Sequence, residues 1–176
     1  MDAKTANIVD DLRGLGDIHV DELTRAVYAT DASLLQVTPL AVVAPKSIES
    51  LAAIVRYAAD QGLTVHPRGA GTGLAGESLG QGLVVDVSRY LTRILEIGEQ
   101  SVRVEPGARY AHVQTELAKV GRMLAVDPIS GDRCTLGGML ATNAAGPHAL
   151  RYGTTRDYVL DIKGVLADGS FADLSV

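Results

Sequence analysis

One cysteine, Cys134, leaves no partner for an intramolecular disulfide and no thiolate cluster for zinc or an iron–sulfur centre, a usage that suits a reducing compartment. No run of 18 apolar residues exists, so no segment reads as a membrane-spanning helix. The first twenty residues carry Asp2, Asp10, Asp11 and Asp17 among their apolar positions, the wrong charge pattern for a secretory signal. Lys and Arg are never clustered and the net charge is −5, which excludes a general affinity for nucleic acid or acidic membrane surfaces, since nothing neutralises phosphates in series. A local anion site is compatible with that balance. Internal repeats and low-complexity tracts are missing too. What is present, 47% hydrophobic and 21% charged residues over 176 positions, suffices for one globular domain with a sizeable core.

Helical and extended patterns alternate, which predicts a single mixed α+β unit. Residues 4–14 read as a first helix within a helical lead-in over residues 1–24, and residues 28–33 as a turn. Residues 40–44, Leu-Ala-Val-Val-Ala, read as a buried strand stopped by Pro45. Ser47 then caps a helix whose Ile48, Leu51, Ala52, Val55 and Ala59 form one apolar stripe, with Gly62 placed to end it. Short strands are expected at about 63–66, 83–87, 93–97 and 101–105. A second amphipathic helix carries Tyr110, Val113, Leu117 and Val120 and stops at Gly121. Strands at about 159–167 and 171–175 face each other across Asp168-Gly169, a pair that favours a tight hairpin. The sheets are expected to be mixed.

The chemistry concentrates in residues 67–76, Pro67-Arg68-Gly69-Ala70-Gly71-Thr72-Gly73-Leu74-Ala75-Gly76. Glycine gives up more conformational freedom on folding than any other residue, so such a cluster implies special dihedrals or a surface that must approach a ligand closely. Successive N–H groups in a turn of this kind form a concave donor nest for an anion. A flexible connector is the alternative, and Arg68 and Thr72 within the run weigh against it. Gly71 to Gly76 match G-x-G-x-x-G, a pattern that demands a strand before it and a helix opening out of it. Only Glu77-Ser78-Leu79-Gly80-Gln81 separate Gly76 from the next strand-like run, so no crossover helix fits and a Rossmann site is ruled against.

A second stretch of small residues spans 135–147, followed by Arg151-Tyr152-Gly153-Thr154-Thr155-Arg156-Asp157. Two such stretches imply a long ligand: a single phosphate needs one nest, whereas a dinucleotide has a diphosphate, sugars and flat rings, each wanting close backbone or partners such as Thr135, Thr142 and Asn143. A tightly packed helix N-terminus beneath a loop is the competing reading of residues 135–147.

In their order, residues 67–76, 136–146, Tyr152-Gly153 and the closing Val165-Leu166-Ala167-Asp168-Gly169 resemble the FAD-binding domain of the vanillyl-alcohol-oxidase type flavoproteins, and more narrowly the D-lactate, glycolate and D-2-hydroxyglutarate dehydrogenase branch. The resemblance covers residues 25–176. It implies an α+β domain of two subdomains, with mixed sheets flanked by helices and FAD lying between them. It further implies that Arg68, Gly69, Ala70, Gly71, Thr72 and Gly73 wrap the pyrophosphate in a loop shaped by Pro67. Gly137, Gly138, Thr142, Asn143 and Gly146 would line the ribityl and flavin side, and Ile162 would offer its backbone to the adenine end. Some relatives tether the flavin through a histidine in the first loop. Here Thr72, Gly73 and Leu74 occupy that stretch, so binding is expected to be noncovalent. Residues 133–139 also resemble the flavin module of long dehydrogenases with a C-terminal iron–sulfur domain, which makes an iron–sulfur domain or protein a candidate electron acceptor.

Of the histidines, His19, His66 and His112 read as ordinary surface or core residues, while His148, just after Gly146-Pro147, is placed to approach the flavin. Cys134 reads as a small buried residue. Arg151 and Arg156 either orient Asp157 or face a ligand, an exposed ion pair being the simpler account. No metal site is expected and no catalytic base is assigned. By the resemblance, the substrate domain that would bind a 2-hydroxy acid lies outside these residues, so the chain is expected to be an N-terminal module of a cytoplasmic enzyme, peripheral to the inner membrane at most. A flavin-binding module without turnover and a UDP-N-acetylmuramate-reductase-like enzyme are the alternatives.

Overall fold

A computed structural model describes residues 3–175. Helix α1 (Ala3–Asp11) leads into strand β1 (Gly16–His19) and helix α2 (Glu22–Tyr28), whose first turn is capped by Asp21 accepting from the Thr24 amide at 2.8 Å. Strands β2 (Ala41–Pro45), β3 (Val65–Arg68) and β4 (Leu83–Asp86) complete a four-stranded mixed sheet in the order β1-β2-β4-β3, with β1 antiparallel to β2 and the other pairs parallel. Both β2 and β4 are buried along their whole length. That is why they read as continuous apolar runs rather than alternating ones. Helix α3 (Ile48–Asp60) carries the chain from β2 to β3. Ser47 caps it by accepting from the Ser50 amide at 3.2 Å, and Ile54 and Ala58 join Ile8, Leu12, Val43, Leu83 and Val85 in the main core.

In the second half, β5 (Ile94–Ile97) and β6 (Val102–Val104) form an antiparallel ribbon, bulged between Ile94 and Glu96, and helix α4 (Tyr110–Lys119) follows. Val113 and Leu117 of α4 pack with Ala108 against Ile94, Val102 and Val104. Helix α5 (Leu136–Thr142) sets Met139 against Tyr110, Val126 and Cys134 in a further cluster. A short helix α6 (Ala149–Tyr152) and a 3-10 turn at Thr155–Tyr158 lead to the hairpin of β7 (Asp161–Val165) and β8 (Phe171–Ser175), in which Ile162 faces Leu174. Glu105, only 9% exposed, accepts from the Arg93 amide at 2.8 Å and from its guanidinium at 2.6 and 3.0 Å. Burial pushes the Glu105 carboxyl up, and the Arg93 bonds outweigh it, holding it below the usual range.

Several expectations shift. The lead-in over residues 1–24 is not wholly helical, because Gly16–His19 is an edge strand that exists only through its pairing with β2. The first helix ends at Asp11 rather than 14, and β7 starts at Asp161 rather than 159. The strand expected at 63–66 runs over 65–68 instead, since Val65 registers with Leu83 and Pro67 with Val85. Pro67 is tolerated there because β3 is the sheet edge, where its missing N–H breaks no ladder bond. The helix α5, unmarked by any apolar stripe, realises the packed-helix reading of residues 135–147.

Candidate functional site

The first glycine-rich loop leaves the sheet at Arg68. The Arg68 guanidinium turns back under the loop, donating to the Thr30 carbonyl at 2.8 Å and the Tyr28 carbonyl at 3.4 Å, with its charge 5.1 Å from the centre of the Tyr28 ring. Gly71 follows with φ +65°, where a side chain is strained, and a Cβ there would stand 2.5 Å from the Arg68 guanidinium. The Gly71 carbonyl accepts from the Ala32 amide at 3.1 Å, which ties the loop to the segment after α2. Thr72 and Gly73 are half-buried, with the Glu77 carboxylate folded against Gly73.

Beneath the loop, buried Asp86 accepts from the Tyr28 hydroxyl at 2.5 Å and from the Ser88 amide and hydroxyl at 2.8 and 2.6 Å. Burial first, and the Asp86 bond second, push the Tyr28 phenol up to about 12. A raised phenol pKa means that the folded state favours the neutral form. Its contribution to stability is therefore complete below the ordinary value of 10.0 and is lost as pH rises toward about 12. An ultraviolet titration is expected to show a tyrosine ionising near pH 12, and that late step is expected to vanish in Tyr28→Phe. A late step that persists in the variant would assign the shift to another tyrosine.

The two glycine-rich stretches meet at one point. A Cβ on Gly69 would overlap the Thr135 hydroxyl, and Thr135, 1% exposed, uses that hydroxyl to accept from the Gly138 amide at 3.2 Å as the cap of α5. Thr135 in turn bridges Arg109 across a short antiparallel contact, with the Tyr110 amide donating to the Cys134 carbonyl at 3.0 Å and the Leu136 amide to the Ala108 carbonyl at 2.9 Å. These junctions open on a cleft of about 480 Å³ lined by Ala70, Ser88, Thr92, Gly107, Arg109, His112, Arg133 and Thr135. The lining is small residues, hydroxyls and bases, with no carboxylate.

Of the residues singled out from the sequence, Ala70 and Thr135 line this cleft and Gly69 stands behind Thr135. The others have local work. Gly137 packs against Pro106, donating to its carbonyl at 2.8 Å, and the Thr142 hydroxyl donates to the Gly138 carbonyl at 3.0 Å. Asn143 ends α5 in the left-handed region at φ 48°, and its side-chain oxygen accepts from the Arg156 amide at 2.9 Å. Gly146 packs on the Asp127 carbonyl, and Ile162 sits in the β7–β8 hairpin, outside the cleft lining. His148 pairs through Nδ1 with Asp127. One reading is corrected. Asp157 accepts from the Thr154 amide at 2.7 Å and its hydroxyl at 3.1 Å, and among the described residues it pairs with neither Arg151 nor Arg156. His112, read as an ordinary surface or core residue, is exposed, and it lines the cleft. Arg109, Ser88, Thr92 and Gly107 carried no signal, and Arg133 only as the first residue of the 133–139 resemblance, because they come from separate segments that only folding assembles.

Among the described residues no helix is long and apolar enough to cross a membrane, and no group of three His, Cys, Asp or Glu side chains is placed to hold a metal ion. Residues 39–175 match the FAD binding domain family. The chain is 40% identical over 163 residues to D-2-hydroxyglutarate dehydrogenase of Escherichia coli (strain K12), covering 90% of this chain and 16% of that protein. It is 34% identical over 149 residues to glycolate oxidase subunit GlcD of Bacillus subtilis (strain 168), covering 82% of this chain and 32% of that one. Its fold superposes on alkyldihydroxyacetonephosphate synthase with a TM-score of 0.85 at 22% identity, over 99% of this chain and 35% of that one. The chain therefore spans well under half the length of these relatives. The cleft suits FAD on its own chemistry, since bases and hydroxyls complement a diphosphate and Ala70 and Gly107 leave room beside them. On that match over residues 39–175, the chain belongs to the FAD binding domain family, and it is similar to the D-2-hydroxyglutarate dehydrogenases and glycolate oxidase subunits.

Proposed function

We propose that this chain is the FAD-binding module of a flavin-dependent 2-hydroxy-acid dehydrogenase of the D-2-hydroxyglutarate, glycolate or D-lactate type, with FAD held noncovalently between its two halves. The observation that carries this reading is the junction of Gly69 and Thr135, which brings both glycine-rich stretches to the wall of one cleft lined by hydroxyls and bases. Bound FAD supplies an acceptor for the hydride on the carbon that bears the substrate hydroxyl. The protein's part within these residues is position. The loop over residues 69–73 brings backbone close to the diphosphate, with Pro67 and Arg68 setting its exit from the sheet. Gly137, Gly138, Thr142, Asn143 and Gly146 build the wall on the flavin side, and Ile162 serves the adenine end through its backbone. None of these residues is proposed to take the substrate proton.

Noncovalent binding follows from the side chains present. The loop at 67–76 has no histidine or cysteine, and Cys134 is buried, which pushes its thiol up and keeps it protonated and unreactive. In equilibrium dialysis the chain is expected to bind FAD in preference to NAD or NADP, and acid precipitation is expected to release all the flavin to the supernatant. Yellow colour kept in the denatured pellet would sink the noncovalent assignment. Binding of NAD with no binding of flavin would sink the reading itself. For the whole protein, D-2-hydroxyglutarate, glycolate and D-lactate with an artificial acceptor separate the three substrate types.

A further inference from the structure

The cation that the first glycine-rich loop supplies is already engaged. Arg68 donates to the Thr30 and Tyr28 carbonyls and stacks on the Tyr28 ring, and it is not among the residues lining the cleft. The bases that do line it come from elsewhere. Arg109 precedes α4, His112 lies one turn into that helix, and Arg133 stands before α5. Arg109 and Arg133 are exposed, and neither forms an ion pair among the described residues, whereas Arg93 pairs with Glu105, Arg103 with Asp161 and Arg89 with Asp17. The short bridge between residues 109 and 135 holds their two segments side by side, so both guanidinium groups are brought to the same cleft. Like charges gathered on one cleft repel unless an anion lies between them.

We infer that Arg109 and Arg133, from outside both glycine-rich stretches, neutralise the diphosphate of the bound dinucleotide, whereas Arg68 shapes the loop and leaves the phosphates to backbone donors. This rests on the flavin reading above. Guanidinium groups match phosphate oxygens in bidentate geometry, so the pair selects ligands that carry a diphosphate over ligands that share only the ring system.

The test measures equilibrium binding of FAD, ADP and riboflavin to the 176-residue chain and to Arg109→Ala, Arg133→Ala and the corresponding lysine variants, with thermal unfolding of each apo form. Each alanine variant is expected to weaken FAD and ADP about tenfold, to leave riboflavin within about twofold, and to melt with the wild type. Lysine, which keeps the charge without the fork, is expected to recover part of the loss. Added salt is expected to weaken FAD binding by the wild type more than by the double alanine variant, because the screened charges are then gone. Arg68→Ala, in contrast, is expected to lower the apo melting temperature and to weaken riboflavin and FAD alike. Unchanged FAD and ADP affinity in Arg109→Ala and Arg133→Ala, or an equal loss for riboflavin, would overturn the assignment while leaving the flavin site in place. A wild-type chain that binds no flavin would overturn the flavin reading and this inference together.

Discussion

Gly107→Val is expected to destabilise the chain by about 3 kcal/mol, the upper end of the usual cost of overpacking. At roughly 2–4 °C per kcal/mol for a chain of this size, that is a fall in melting temperature of roughly 6–12 °C. The reason is that a Cβ on Gly107 would overlap the Val87 carbonyl and lie 2.7 Å from the Leu91 carbonyl, backbone on two sides. Neither can retreat cheaply. The Leu91 carbonyl accepts the Gly107 amide at 2.7 Å, and the Val87 amide donates to the Arg68 carbonyl at 3.0 Å, so a shift of residues 87–91 would peel the chain from the end of β3 and from the glycine-rich loop. Because Gly107 also lines the cleft, FAD affinity is expected to fall with stability. Gly164→Ala is the control. It has open space around its Cβ position, and its melting temperature is expected to stay within the change produced by about 0.5 kcal/mol. Thermal unfolding of the two variants side by side decides the matter, and equal melting would show that the close approach at Gly107 does not constrain the fold.

The second large effect is expected at Gly69→Ala: a loss of about 1–3 kcal/mol in stability and at least about tenfold in FAD affinity. Here the obstacle is a single atom. The added Cβ would overlap Thr135 Oγ1 while standing at an ordinary 3.4 Å from Thr135 Cβ. Thr135 has no free direction to turn, being 1% exposed, and rotation would strip the α5 cap at Gly138, worth about 1 kcal/mol. Thr135→Ala removes both the cap and the obstacle. In that background Gly69→Ala is therefore expected to cost little further, giving a coupling energy of about 1–2 kcal/mol in a double-mutant cycle followed by urea unfolding. Additive losses would mean that the two stretches do not bear on each other through this contact, and the junction proposed to carry the site would lose its support.

The element types legible in the chain are those written locally. The runs at 41–45 and 83–86 announce buried strands, the stripe from Ile48 to Ala59 after Ser47 announces α3, and Asp168-Gly169 announces the final hairpin. The absence of any helix between Gly76 and β4 is equally visible, and it separated this loop from a dinucleotide fold of the Rossmann kind. β1 was invisible because four residues with no alternation become a strand only when β2 lies beside them. α5 was legible only as the competing packed-helix reading of residues 135–147, because Leu-Gly-Gly-Met-Leu-Ala-Thr has no apolar stripe, and its ends are made by the Thr135 cap and by Asn143 in the left-handed region.

The two glycine-rich stretches were legible in the sequence itself, since small residues at consecutive positions mark close backbone approach, and their resemblance to FAD-binding domains implied the ligand. Which atoms meet was not. Gly71 answers to a backbone angle and to Arg68, Gly137 to Pro106, and Gly146 to Asp127, constraints that look identical to ligand contact until the partners are in place. The bases of the cleft were decided by tertiary structure alone. Arg109 and His112 share the start of α4, but nothing in the spacing joins them to Arg133, and the three reach one cavity because an antiparallel bridge between residues 109 and 135 joins two segments whose separation in sequence says nothing of their distance in space.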